Sequence, residues 1–210
     1  MPETGIINKG LTAGKTGNER CGAEMKKVLM MVHDGFEEVE ALTTVDILRR
    51  AGCGVTVCSM TGRNVLHGSH GIDAAADAVF GHTVDEDCAD IFDALVFPGG
   101  LPNAHTLRDD SRATDAANKF HEKGKLVCAI CAAPCVLEKA GLLEGRRATS
   151  YPGAIDATRC LYSEEKAVKD GKVITSRGVG TALDFALAIA EELCGKQTAD
   201  RVAASILHKR

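Results

Sequence analysis

Apolar residues fall in short blocks along this chain, and stretches of helical spacing separate them. Val28–Val32 is an unbroken apolar run of strand length, and residues 37–51 carry helix formers that stop at Gly52. Val55–Met60, β-branched at its start, predicts a second strand. Residues 62–90 hold several glycines and read as a short hairpin and a loop. Asp93–Phe97 predicts a third strand, closed by Pro98-Gly99-Gly100. A helix over 111–123 then leads to a strand that begins at Leu126 and ends in an elbow at Cys131.

Beyond the elbow, Lys169-Asp-Gly-Lys172 predicts a hairpin turn, because Asp-Gly tolerates the positive φ angles such turns need. Val173–Thr175 is the returning strand. Thr181-Ala-Leu-Asp184 has the spacing of a capping box and opens a helix to Leu193, with Gly195 as its stop. Gly178-Val-Gly180 reads as a tight strand-to-helix turn, since G-x-G alone is no nucleotide fingerprint. A last amphipathic helix covers Ala199–Leu207. Strands that alternate with helices predict a single α/β domain whose largely parallel sheet carries helices on both faces.

Composition narrows the function. At 210 residues the chain suits one domain, which we place at residues 25–210, after a flexible N-terminal extension at 1–24 that lacks periodic apolar positions. The formal charge is −4 and the basic residues are scattered, so nucleic acid is not an expected partner. No apolar run reaches the ~18 residues of a membrane span, so no membrane association is expected. The nine cysteines are odd in number and several lie inside apolar runs, which predicts free thiols in a reducing, cytoplasmic setting. No Cys/His pairs recur at zinc-ligand spacing, and neither a metal nor another cofactor is expected.

The candidate chemistry centres on Lys125-Leu-Val-Cys-Ala-Ile-Cys131-Ala-Ala-Pro134. A buried strand turning straight into a helix sets Cys131 at a helix N-terminus, where free N–H groups and the helix dipole favour a thiolate. Cys128 and Cys131 form a C-x-x-C pair, but three strand residues span ~10 Å, too far for a disulfide. Cys135, one turn beyond, is read as packed rather than reactive. The expected partner of Cys131 lies in Asp34-Gly-Phe-Glu37-Glu38-Val-Glu40, where the first strand meets the first helix. Successive helix residues point ~100° apart, so these three glutamates do not share one direction and one must turn inward.

Gly35-Phe-Glu-Glu-Val-Glu40, Pro98-Gly99-Gly100, Ala129-Ile-Cys131-Ala-Ala-Pro134 and Thr175-Ser-Arg-Gly178, in this order along the chain, resemble the ThiJ/PfpI superfamily over residues 25–208. Within it the chain is most similar to the DJ-one subgroup. The resemblance implies a flavodoxin-like fold with a nucleophile elbow and a small homodimer. It assigns Cys131 as nucleophile, Glu40 as the acid that meets its sulfur, and the backbone N–H groups of Gly100 and Ala132 as an oxyanion hole. Gly99 and Gly100, without Cβ, let backbone and substrate approach closely. Tyr151 stands where the family often has a histidine, which weakens a cysteine hydrolase or amidase reading; Tyr151 and His105 are expected to line the site.

The leading expectation is a glutathione-independent enzyme for reactive 2-oxoaldehydes, converting methylglyoxal to lactate, or for glycated protein side chains, as a deglycase in stress protection. Burial and the adjacent thiolate would keep Glu40 protonated. The alternative is a redox sensor or chaperone in which Cys131 is oxidised to a sulfinate beside protonated Glu40.

Overall fold

The structure is a computed structural model that describes residues 24–209. Apart from Glu24, the expected extension lies outside the described residues. The first half of the chain runs β1 (Lys27–Val32), α1 (Glu38–Arg50), β2 (Gly54–Ser59), β3 (Val65–His67), β4 (Asp73–Ala75), β5 (Ala78–Val79), α2 (Cys88–Ile91), β6 (Ala94–Phe97), α3 (Leu101–Asp109) and α4 (Ser111–Glu122). The second half runs β7 (Leu126–Ile130), α5 (Pro134–Lys139), β8 (Arg147–Ala148), β9 (Leu161–Tyr162), β10 (Ala167–Asp170), β11 (Val173–Ser176), α6 (Ala182–Cys194) and α7 (Lys196–Ser205).

Seven strands form the central sheet in the order β10-β11-β7-β6-β1-β2-β5. All its pairings are parallel except β10 with β11, which meet antiparallel through the Asp-Gly turn. Both faces are covered, which is why β1, β6 and β7 are continuous apolar runs rather than alternating ones. Side chains two apart along a strand share a face. Leu29, Met31, Leu95, Phe97 and Val127 pack with Leu107 of α3, Phe120 of α4 and Val136 of α5. Met30, Val32, Val96, Cys128 and Ile130 pack on the other face with Val45 and Leu48 of α1 and Phe185 and Ile189 of α6. From β1 the chain proceeds outward through β2 and β5, then returns to β6 on β1's other side. This reversal opens a crevice beyond the carboxyl ends of β1 and β6, where ligands bind in such sheets.

Four local features depart from the sequence reading. Residues 62–90 contain the hairpin β3–β4, but also the edge strand β5 and the short helix α2. Helix α3 has no clear apolar period; it follows Gly100, and buried Asn103 secures its first turn. The Asn103 Nδ2 donates to the carbonyls of Pro98 at 2.7 Å and Gly99 at 3.0 Å, and its Oδ1 accepts from His33 N–H at 2.7 Å. Thr181 makes no capping box with Asp184: its hydroxyl turns back to the Gly178 carbonyl at 2.8 Å and accepts from Gly178 N–H at 3.1 Å. The last helix starts earlier than its periodicity suggested, at Lys196. No helix among the described residues is long and apolar enough to cross a membrane.

Candidate active site

Cys131 directly follows β7 with φ at +64°, a left-handed conformation that only Leu207 shares among the described non-glycine residues. A residue with a Cβ holds such a conformation at a cost of about 1–2 kcal/mol unless its surroundings fix it. Here two hydrogen bonds clamp the bend: Cys131 N–H donates to Ser176 O at 3.0 Å, and Tyr151 N–H donates to Cys131 O at 2.8 Å. The elbow therefore turns the half-buried thiol out of the sheet and into the crevice.

Glu40 reaches the same point from α1. Its side chain is fully buried, and Gly99 N–H donates to Oε2 at 3.0 Å. Glu37 caps the helix, with its Oε2 accepting from Glu40 N–H at 2.7 Å. The second carboxyl oxygen, Oε1, is buried without a conventional hydrogen-bond partner. A methyl group on Gly178 would lie 3.8 Å from both this oxygen and Cys131 Sγ. A Cβ on Gly99 would collide with Oε2 and come within 2.6 Å of Cys131 Cβ, so only glycine fits between acid and thiol. Gly100 has φ at +88°, and its N–H and that of Ala132 hydrogen-bond toward the Cys131 sulfur.

The electrostatics correct the expected thiolate. Burial, then the charge of Glu40, push the Cys131 thiol up to about 12 while Glu40 is ionised; the N–H groups of Ala132 and Gly100 pull the other way. Helix α5 starts only at Pro134 and is six residues long, so its dipole adds little. Burial also pushes Glu40 up to about 7; the Glu37 carboxylate reinforces the rise, and Cys131 and the Gly99 N–H oppose it. The two groups are one titrating pair. The pair loses its first proton from Glu40, near neutral pH, and its last proton stays on the Cys131 sulfur, so a thiol faces an ionised carboxylate that can take its proton.

The crevice around the pair has a volume of about 1230 Å³ and opens to solvent. Tyr151 and His105 line it, both exposed, as do Arg108 and Arg177. Neither arginine was evident in the sequence as a site residue; an arginine on a helix or after a strand carries no signal of its own. Across the rim, buried Glu38 anchors the 68–72 loop. Its Oε1 accepts from His70 N–H at 2.6 Å and Ile72 N–H at 3.3 Å, and its Oε2 meets the His70 ring at 2.9 Å. Burial opposes ionised Glu38, but these hydrogen bonds hold its pKa down to about 2. Glu37, Glu38 and His70 bring ligand atoms within 4.8 Å of one another, yet both Glu38 oxygens are already occupied by donors. Cys135, as expected, is packed: its buried thiol points to the Ala104 carbonyl at 3.7 Å.

A cysteine on a strained turn after a central strand of a largely parallel sheet, facing a buried glutamate across a Gly-Gly turn, is a family-specific arrangement. The family model described as DJ-1/PfpI matches residues 26–192. The chain belongs to the DJ-1/PfpI family. It is 39% identical over 185 residues to Protein dj-1beta of Drosophila melanogaster, covering 87% of this chain and 97% of that protein. The crystal structure of Drosophila DJ-1beta superposes with a TM-score of 0.81 at 37% identity, over 89% of this chain and all of that one. A DJ-1/PfpI relative from Pyrococcus abyssi, named a deglycase, is 37% identical over 157 residues, 73% of this chain and 91% of its own length. Against Protein DJ-1 homolog A of Arabidopsis thaliana, 38% identical, this chain spans only 46% of the relative's length.

Proposed function

We propose that this DJ-1/PfpI chain is a cysteine-dependent enzyme for reactive carbonyls, acting without glutathione on 2-oxoaldehydes or on early glycation adducts of proteins. The observation that carries the reading is the pairing of a half-exposed sulfur with a fully buried carboxyl of pKa about 7. Such a carboxyl both gives and takes a proton at neutral pH, which an isomerisation requires. The deglycase name of the archaeal relative points the same way.

In this reading the Cys131 sulfur attacks the aldehyde carbon of methylglyoxal as ionised Glu40 takes the thiol proton. The carbonyl oxygen gathers charge near the N–H groups of Gly100 and Ala132, and Glu40 protonates it to give a hemithioacetal. Ionised Glu40 then removes the proton from that carbon, giving an enediolate; the hydroxyl proton passes to the neighbouring ketone oxygen, and Glu40 returns its proton to the ketone carbon. The product is a thioester of lactate. Water cleaves it, releasing lactate and restoring the thiol. The crevice, about 1230 Å³, far exceeds what methylglyoxal needs and accommodates a glycated side chain on its peptide. Tyr151 and His105 contribute walls rather than protons, and Gly99 lies behind the wall, between acid and thiol. With no imidazole bonded to the sulfur, an amidase mechanism is disfavoured.

The decisive experiment measures lactate formed from methylglyoxal without glutathione, by the wild type and by Cys131→Ser. Turnover that vanishes in the variant supports carbonyl chemistry at the elbow. A folded, reduced wild type with no turnover on methylglyoxal or on a glycated peptide overturns it. A sulfur cradled by two N–H donors and a protonated acid also suits a sulfinate, so oxidation of Cys131 is the second reading, tested by mass after peroxide.

Exposed apolar residues on α1, Val39 and Leu42, together with Ile72 on the anchored loop, support a homodimer as the working assembly.

A further inference from the structure

Far from the elbow, two thiols from distant parts of the chain lie together. Cys53 follows α1 and immediately precedes β2, so it sits at the amino end of the parallel strands, whereas Cys131 is at the carboxyl end. Cys194 is the last residue of α6. Their sulfurs are 3.4 Å apart, although 141 residues separate them in sequence. Each is set by its own element. Cys53 N–H donates to Leu48 O at 3.0 Å, closing the end of α1, and Gly195 ends α6 with φ at +83°. Helices α1 and α6 pack side by side in one core layer, through Val45, Leu48, Phe185 and Ile189. Core packing, not sulfur chemistry, thus brings the pair together.

We propose that Cys53 and Cys194 are a modification site, a dithiol that a peroxide converts to a reversible disulfide clasping the start of β2 to the end of α6. A sulfur–sulfur bond is about 2.05 Å, so closure asks the two sulfurs to approach by roughly 1.4 Å, the scale of a side-chain rotation. Access decides the order of events: Cys53 is buried and Cys194 is half-buried. The hydrogen bond from Cys53 lowers the Cys194 pKa against its partial burial, and Lys26 nearby adds to the effect. The same hydrogen bond, with burial, raises that of Cys53. The accessible sulfur is therefore the nucleophilic one. Among the described residues away from the elbow, buried Cys58, Cys135 and Cys128 are poorer competitors: burial pushes Cys58 up to about 12 and Cys135 up to about 11, and fully buried Cys128 well above its usual value.

The chemistry balances with one peroxide. The Cys194 thiolate attacks a peroxide oxygen; the O–O bond breaks, hydroxide leaves and takes up a proton, and Cys194 becomes a sulfenic acid. The Cys53 sulfur then attacks the Cys194 sulfur as its own proton passes to the departing oxygen. The S–O bond breaks, the S–S bond forms and a second water leaves. Two thiols are oxidised and one peroxide is reduced to two waters. An external thiol reverses the step.

The test treats the reduced, folded full chain with hydrogen peroxide, blocks remaining thiols by alkylation and maps peptides by mass spectrometry before and after reduction. The expected result is a cross-linked peptide pair containing Cys53 and Cys194, lighter by two hydrogens and separated by dithiothreitol. In Cys194→Ser the pair disappears and Cys53 is recovered alkylated after unfolding, while Cys131 oxidises as in the wild type. The proposal is overturned if Cys194 proceeds to a sulfinic acid while Cys53 remains a thiol, or if Cys53 enters a disulfide in Cys194→Ser. It is equally overturned if Cys194 is joined only to a second chain.

Discussion

The amide of Gly99 donates to Oε2 of Glu40 at 3.0 Å, fastening a carboxyl on α1 to the turn that follows β6. This bond fixes the acid where water does not reach it. Burial raises its pKa from 4.5 to about 7, so the folded chain binds this proton more tightly than the unfolded chain. Stability contributed by Glu40 is therefore complete below pH 4.5 and declines as pH rises through 7. Glu40→Gln removes the penalty while keeping an oxygen for Gly99. The variant is expected to be more stable than the wild type by about 3 kcal/mol at pH 8, with the gap closing near pH 4. Urea unfolding at several pH values checks this; a gap independent of pH assigns it to packing instead.

The shared proton has a kinetic signature. Glu40 ionises near pH 7, and the carboxylate then takes the Cys131 proton as the sulfur attacks. Alkylation of Cys131 by iodoacetamide is expected to accelerate through that pH in the wild type. In Glu40→Gln the inflection near 7 is lost, because only the thiol titrates. A wild-type rate that stays flat from pH 6 to 8 removes Glu40 as the base that activates the sulfur.

The central strands and the elbow were legible because a sheet covered on both faces needs unbroken apolar runs, and Val28–Val32 and Leu126–Ile130 are such runs. The Asp-Gly hairpin was legible from backbone chemistry alone. Helix α3 was not, since Asn103 holds it by hydrogen bonds to Pro98 and Gly99 that no apolar period reports. The expected positions of Cys131, Glu40, Gly99, Gly100 and Ala132 do converge in space, but the thiol's protonation depended on burial and on Glu40's charge, both properties of the assembled crevice. Arg108, Arg177 and the contact of Cys53 with Cys194 are likewise products of tertiary packing.

Gly100 carries two separate demands, and one substitution measures both. Its φ of +88° disfavours any side chain. A Cβ there would also strike the Gly35 carbonyl and lie 2.7 Å from the Glu37 nitrogen. Gly62 has a similar φ of +79° but open space where its Cβ would be. Gly62→Ala is expected to destabilise the fold by about 1 kcal/mol, from backbone strain alone. Gly100→Ala is expected to lose about 3 kcal/mol or more, since overpacking adds to strain, and to lose carbonyl turnover as α1 is displaced. Thermal unfolding of the two variants compares them directly; equal losses would mean that the crevice absorbs the methyl group.

Helix α1 presents apolar residues on both sides, which a single chain does not need. Ala41, Val45 and Leu48 face the core, whereas Val39 and Leu42, three residues apart on the opposite side, are 49% and 46% exposed. Glu38, through its bond to Ile72 N–H, brings another exposed apolar residue beside the first turn of the helix. Burying these residues against a second copy removes apolar area from water at about 25 cal/mol per Å². The wild type is thus expected to sediment at twice the 22.1 kDa chain mass. Leu42→Asp places an unpaired charge in that contact and is expected to shift the chain to a monomer, weakening association by at least 100-fold. Because Glu40 projects from the same helix toward Cys131, carbonyl turnover should fall with dimer dissociation if the partner steadies α1. Sedimentation and turnover measured over one dilution series read both effects, and a wild type that is monomeric at micromolar concentration refutes the assignment of this face.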